Sequence, residues 1–340
     1  MKEKKKIILG VSCGDINGIG LEIIIKTFLN NDLLASCIPI LYAPKIAINH
    51  YKKIYSTFSN FNYNVIKNAN NASSSKFNII DVSHDSIKIT PGASSEMGAR
   101  IALESLRLVT EDLKCQRIDM LLTLPLNKDN INKVKHDFIG HTEYFSKSFD
   151  NADNLMLLCN ENLRIATVTN HVSISRVASK FNRTLVEKKI QILLETLLKD
   201  FLISRPRIAV LGLNPHAGDN GLIGEEEKNI ITPVVHNFFM KGHLVYGPYS
   251  ADGFFGAGQY RNFDAILGMY HDQSLIPFKL MSFGKGVNYT AGMSVIRVSP
   301  DHGVGYDISG QNIASSSSVL SDIALGVKIY HNRSAYLDKG

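Results

Sequence analysis

Long apolar runs are missing from this chain. None of its segments approaches the ~20 residues needed to span a bilayer, which argues against a helical membrane protein. Cysteine is scarce, and the four present (Cys13, Cys37, Cys115 and Cys159) form no C-x-x-C pair, so no disulfide framework or zinc ribbon is expected. Three of them sit in or beside apolar runs, as buried thiols do in a reducing compartment, so a cytoplasmic location is expected. Charge of one sign is not concentrated either. The net charge is +6 and the lysines are scattered beyond the opening MKEKKK, which leaves no nucleic-acid footprint but suits a small anionic substrate. That opening has the charge of a signal peptide. Its apolar run from Ile7 is too short, however, and ends in the turn-forming Gly14-Asp15 rather than a cleavage site. A first β-strand with a solvated lysine leader is the expectation. Internal repeats and a Pro-rich linker are also absent, so composition marks no domain boundary.

What is present reads as a packed α/β protein. With 340 residues, 44% hydrophobic and 20% charged, the chain can bury the core of two domains or one large one. Short apolar runs at 7–12, 38–42, 118–124, 155–159, 164–168, 208–213 and 265–269 read as buried strands. Helices are expected at 19–30, 46–55, 94–115, 185–202 and 225–240, and Ala102, Leu106, Val109 and Leu113 recur at helical spacing in the third. The Asn- and Ser-rich stretch 56–76 reads as loop and edge strand. Strands alternating with helices indicate a largely parallel sheet, in which ligands bind beyond the carboxyl ends of strands.

Polar clusters follow these strands repeatedly, and five of them carry a histidine: His141, His171, His216, His271 and His302. A lone histidine is more often structural than a ligand, but histidines placed after successive strands converge on one crevice. Three neutral imidazoles, as in the set His171, His216 and His271, can hold Zn²⁺ or a similar ion with a position open for substrate. Their spacing is long-range and matches no H-E-x-x-H motif. The loop Gly14–Gly20 (GDINGIG) follows a strand and opens a helix, yet it has neither the G-x-G-x-x-G register nor a Walker lysine. It is as readily a tight turn as an anion contact. Lys279 and Arg297 lie in the apolar runs IPFKLMSF and SVIRVS, where a charge without a partner is costly. A phosphate, a carboxylate or a buried partner would satisfy them, Arg297 in bidentate fashion.

Seven strings in order, GDINGIG, FIGHTE, LNPHAG, IGEEE, GPYSADGFF, MYHDQSLIPFK and GVNYTAGMSVIRVSPDHG, resemble the 4-hydroxythreonine-4-phosphate dehydrogenases of pyridoxal phosphate biosynthesis. The resemblance runs from about residue 7 to residue 327. It implies a fold like that of isocitrate and isopropylmalate dehydrogenases, two α/β domains flanking a cleft. The first domain would comprise 1–133 plus 301–340 on the cofactor side, and the second 134–300 on the metal, substrate and dimer side. It implies a homodimer with shared active sites, in which His171 and His216 bind the metal together with His271 of the other subunit. Substrate contacts fall on His141, Thr142, Lys279, Asn288 and Arg297, and NAD or NADP along Ser299, Asp301, His302, Gly303 and Asp307. Asp252, Asp272 and Lys279 are the candidate proton acceptors. The implied reaction is metal-dependent (Zn, Mg, Mn or Co) oxidation of 4-phosphooxy-L-threonine, then decarboxylation to 3-amino-2-oxopropyl phosphate. A dehydrogenase of another phosphorylated hydroxy acid, such as 4-phosphoerythronate, would use the same residues. A more distant alternative is a three-histidine metal hydrolase or lyase without NAD. Two departures stand out: the family's GDPAGIGPE reads GDINGIGLE, losing both prolines, and its DHGTA reads DHGVG, placing Val304 where a threonine is usual. The first bears on loop stiffness. The second bears on cofactor affinity or on the choice between NAD and NADP.

Overall fold

The computed structural model describes residues 6–338 apart from 83–86, 137, 139, 150–152 and 283. Of the expected lysine leader, residues 2–5 lie outside the described residues; Lys6 donates its Nζ to the Ser74 carbonyl. In chain order the strands are β1 (Ile7–Ser12), β2 (Cys37–Ala43), β3 (Tyr63–Ile66), β4 (Phe77–Asp81), β5 (Met120–Thr123) and β6 (Leu155–Cys159). They continue as β7 (Arg164–Thr167), β8 (Arg207–Leu211), β9 (Leu244–Tyr249), β10 (Ala265–Gly268), β11 (Val287–Ala291) and β12 (Arg297–Pro300). The α-helices begin with α1 (Gly20–Phe28), α2 (Lys45–Ile54), α3 (Glu96–Lys114), α4 (Lys128–Val134), α5 (His141–Ser148) and α6 (Ile174–Lys180). The remainder are α7 (Arg183–Lys199), α8 (Thr232–Met240), α9 (Ala251–Gly256), α10 (His271–Ser282) and α11 (Ser317–Leu337).

The chain divides into two compact units: Met1–Asn151 with Ser294–Tyr330, and Ala152–Met293 with His331–Gly340. In the first unit the strand order is β3-β4-β2-β1-β5-β12, and every pairing is parallel. Stretch 56–76 supplies β3 at the end of that order, as its composition suggests. Helix α3 starts where expected because the Ser95 hydroxyl accepts the Gly98 amide at 3.0 Å. Its buried face carries Ala102, Leu106, Val109 and Leu113.

In the second unit the order is β11-β6-β7-β10-β8-β9. Here β6 is antiparallel to both neighbours, the exception in the largely parallel pairing that the sequence implies. The cause is local: β6 and β7 are joined by four residues, Asn160 to Leu163, too few for a crossover. Asn160 closes that hairpin by accepting the amides of Asn162 and Leu163 on its side chain. The helix expected over 225–240 is interrupted: Glu227–Ile231 forms one wide turn before α8. Pro233 at its second position brings no amide donor. The core of this unit gathers Leu158, Ile165, Leu211, Phe254, Ile266 and Phe278. Residues 331–340 join it through Arg333, which donates to Asp200 Oδ1 at 2.7 Å and to the Tyr289 hydroxyl at 2.9 Å. Among the described residues no helix is long and apolar enough to cross a membrane.

Candidate functional site

Within the first unit β1, β5 and β12 are neighbours and parallel, so the segments after them emerge on one side. The segment after β1 is GDINGIG. The Asp15 amide donates to Pro125 O at 2.9 Å, Asn17 N to Asp15 Oδ1 at 2.9 Å, Gly18 N to Asp15 O at 3.1 Å and Ile19 N to Val304 O at 2.9 Å. With these four amides bound inside the fold, the loop serves as a structural turn. It docks the segment after β12: Tyr306 donates to Asp15 Oδ2 at 2.6 Å and Ser309 to Asn17 O at 2.7 Å. A Cβ on Gly18 would stand 2.4 Å from Val304 Cγ1, so the valine that replaces the family's threonine packs against this glycine. The expected cofactor residues lie here, Ser299 on β12 and buried, Asp301 and His302 partly buried, Gly303 and Asp307 exposed. His302 Nε2 is buried without a hydrogen-bond partner, an orphan polar atom that suits a hydrogen-bonding ligand such as a dinucleotide.

Arg297 opens β12 and is 2% exposed. Its Nε and Nη2 donate to Thr123 Oγ1, the end of β5, at 3.0 and 2.5 Å. Burial lowers its pKa to about 10, while the charges of Asp322 and Glu143 act in the opposite direction. The guanidinium therefore stays charged at neutral pH. Asp322 on α11 is fully buried and neither of its oxygens is hydrogen-bonded. Burial pushes its carboxyl well above the usual range, against the pull of Arg297. His141 opens α5; burial first, then the charges of Arg297 and Lys128, holds its pKa well below the ordinary value. Its Nε2 is buried with no partner. Glu143 Oε2 and Lys128 Nζ lie 2.8 and 3.4 Å from where a Cβ of Gly140 would be, which places both beside the same turn. Thr142 follows His141 in the first turn of α5, partly buried. This cluster is a charged and neutral donor set already assembled inside one unit, as an anionic substrate group requires.

The second unit brings its histidines to the carboxyl ends of parallel strands β7, β10 and β8. The β7–β10 pairing continues past both strands, with Val168 N donating to Gly268 O at 2.8 Å and Thr169 Oγ1 to Met269 O at 2.8 Å. Two residues further on, His171 and His271 face each other with ring centres 5.8 Å apart. Two imidazoles sharing a tetrahedral ion at ~2.1 Å from each nitrogen would have centres roughly 5 Å apart, so this pair fits a shared metal. His271 Nδ1 lies 2.6 Å from Asp272 Oδ1. A proton held there leaves Nε2 as the ligating nitrogen.

His216 follows β8 and is exposed. It begins a left-handed run through Asn220, with φ 52° at His216 itself and 79° at Gly218. A Cβ on Gly218 would stand 2.6 Å from Glu227 Oε2, so only glycine fits. Glu227, 4% exposed, anchors the run by accepting the Asn214 amide at 2.7 Å and its side-chain nitrogen at 3.0 Å. Asp252, exposed at the start of α9, is held below the usual carboxylate range by the Ser250 hydroxyl, the Gly253 amide and, more weakly, His216. Among the described residues of one chain no three His, Cys, Asp or Glu groups are placed to hold a metal. The chain thus brings together two of its expected ligands. Lys279 is exposed on α10, and Asn288 is partly buried on β11.

Thr123, Lys128, Glu143, Asp322, Asn214 and Glu227 escaped the sequence reading. Asp322 had a signal: it stands among Val319, Ile323 and Gly326 on the buried face of a helix, where a lone carboxyl needs a reason.

Comparison with known proteins gives the chain's relatives. The family model described as pyridoxal phosphate biosynthetic protein PdxA matches residues 35–325. A 4-hydroxythreonine-4-phosphate dehydrogenase of Bacteroides thetaiotaomicron is 40% identical, over 97% of this chain and 91% of its own length. A D-threonate 4-phosphate dehydrogenase of Pectobacterium atrosepticum is 32% identical, over 95% and 99%. Among solved structures, the 4-hydroxythreonine-4-phosphate dehydrogenase of Klebsiella pneumoniae has a TM-score of 0.82 at 32% identity, covering 97% of this chain and 99% of that one. Isocitrate dehydrogenase of Methylococcus capsulatus, at 11% identity and a TM-score of 0.50 over 98% and 88%, shares the fold alone.

Proposed function

Because this chain belongs to the PdxA family of pyridoxal phosphate biosynthetic proteins, we propose that it oxidises 4-hydroxythreonine 4-phosphate with a nicotinamide cofactor and a divalent metal. Loss of CO₂ from the resulting β-keto acid then gives 3-amino-2-oxopropyl phosphate. The observation that carries the metal part of the reading is the His171–His271 pair at 5.8 Å. A bound divalent ion would supply a Lewis acid for the substrate hydroxyl and the carbonyl it becomes, and the nicotinamide would take the hydride.

The chain's own residues have separable tasks. Asp272 fixes the orientation of His271 through the 2.6 Å contact. Arg297 grips an anionic group of the substrate as a fixed cation. His141, kept neutral by burial and by Arg297 and Lys128, offers a hydrogen bond rather than a charge. Thr142, Lys279 and Asn288 complete the substrate contacts, and 299–307 receives the cofactor. Asp272 is engaged with His271, and Asp252 is a weakened base below the usual carboxylate range. Asp272, Asp252 and Lys279 remain the candidate proton acceptors, to be told apart by substitution. The metal set needs a further ligand beyond the His171–His271 pair of one chain. We assign it to His216 of a second copy, in a homodimer that works in the cytoplasm.

The test is the appearance of reduced-nicotinamide absorbance with 4-hydroxythreonine 4-phosphate, D-threonate 4-phosphate and 4-phosphoerythronate in turn, each with NAD and with NADP. Turnover should be greatest with the first, should vanish on chelation and should return with Zn²⁺, Mn²⁺, Co²⁺ or Mg²⁺ to different extents. Turnover of all three without metal would overturn the reading.

A further inference from the structure

Arg297 is anchored by a side chain that carries no charge. It stands at the start of β12, and Thr123 ends the neighbouring parallel strand β5, with Arg297 in register with Leu121. Thr123 is 1% exposed and Arg297 2%. Nε and Nη2, one edge of the guanidinium, both donate to the single oxygen Thr123 Oγ1 at 3.0 and 2.5 Å. Two donors of a planar fork on one acceptor fix the rotation of the plane as well as its position, whereas one bond would leave it free to turn.

The charge is balanced by other groups. Asp322 and Glu143 act on Arg297 as opposite charges. Asp322 reaches it from the buried face of α11, the face that sets Gly326 against Met120 and Val298. The charge is answered by those carboxyls, and the Thr123 hydroxyl fixes the guanidinium edge that meets it. We propose that Thr123 is a positioning residue for substrate binding, acting only through the guanidinium of Arg297 and never touching the substrate. This rests on the reading that Arg297 grips the substrate's anionic group.

The experiment compares Thr123→Val, Thr123→Ser, Arg297→Ala and the Thr123→Val/Arg297→Ala double variant. KM for the phosphorylated hydroxy acid and kcat are measured at saturating cofactor and metal, with a melting temperature for each. Thr123→Val keeps the volume but removes the acceptor, and should raise KM about tenfold with kcat within about twofold. Thr123→Ser restores the oxygen and should restore KM. In the Arg297→Ala background Thr123→Val should add nothing, because a residue acting through another has no effect once that other is gone. A further tenfold rise in the double variant overturns the proposal, since Thr123 would then act on its own. An unchanged KM in a folded Thr123→Val variant overturns it too. Should that variant fail to fold, comparison of Arg297→Ala with the double variant, where the buried charge has left with its anchor, decides alone. If Arg297→Ala leaves KM unchanged, the reading of Arg297 fails first and the positioning role falls with it. If Arg297→Ala raises KM and Thr123→Val does not, only the positioning role falls.

Discussion

In the first unit Arg297 is 2% exposed, Asp322 is fully buried, and burial is the first cause of the shifted pKa values of Arg297, Asp322 and His141. In the second unit His171 and His216 are exposed and the His271 side chain keeps 35% of its surface. One cluster is finished within the fold. There desolvation strengthens every charge interaction, and a hydroxyl and carboxyls of the same unit answer the guanidinium. The other is held by backbone, through strand ends and a left-handed turn, and its side chains stay open to solvent. The difference fits the ligands proposed for the two clusters. A group that grips an anion gains from exclusion of water, whereas a metal taken up from solution needs reachable donors, and part of the set can come from another copy.

The largest effects should come from the exposed cluster. His171→Ala, His216→Ala and His271→Ala homodimers should each be inactive. Refolding the His171→Ala and His216→Ala chains together should return activity to about a quarter of wild type, since about half of randomly paired dimers carry one intact site of two. The His171→Ala and His271→Ala mixture should stay inactive, because those two rings adjoin in one chain. The reverse outcome would restore the partition that the family resemblance implies, with His271 from the partner. Recovery in neither mixture, with mixed dimers shown to form, would make the exposed cluster as self-contained as the buried one and erase the contrast.

Arg297→Ala should be next. Loss of a charge-assisted contact of about 1.5–3 kcal/mol should raise KM by tenfold or more, as steady-state kinetics would show. The same change should lower the melting temperature, because truncating a side chain that is 2% exposed leaves a cavity in the first unit. A change in KM without any loss of stability would mean that the buried cluster is less integral to the fold than its burial suggests.

Gly18→Ala should affect stability alone. Its Cβ would meet Val304 Cγ1 at 2.4 Å, which calls for about 1–3 kcal/mol of overpacking, read as a lower urea midpoint. A rise in KM with stability intact would instead make the GDINGIG loop a ligand contact.

The smallest effect concerns pH. Folded His141 is held neutral well below the ordinary value of 6.5, whereas the unfolded chain binds a proton there as pH falls through that value. Stability should therefore be full above 6.5 and decline below it, and His141→Gln should remove part of the decline. Urea midpoints at about pH 7.5 and about pH 5.5 should differ less in the variant, by roughly 1 kcal/mol. Equal acid sensitivity would place the titrating groups outside the buried cluster.

The sequence by itself determined the strands that fill the core, because a buried strand must be apolar on both faces: Ile7–Ser12 and Leu155–Cys159 carry the expected boundaries. It also determined helix α3, through period and cap, and which residue types gather after the strands. Four later features are harder to read. Strands β9, β11 and β12 and helix α11 mix polar and apolar residues, and their identity depends on partners far along the chain. Tertiary structure alone decided that the Asp15, Asn17, Gly18 and Ile19 amides bond inward and that Arg297 lies on Thr123, 174 positions away. It alone set His171 beside His271 while His216 follows a different strand. Local sequence fixes what a segment can bury and how it can turn. Which charge meets which acceptor depends on strand order and register, which distant pairings set.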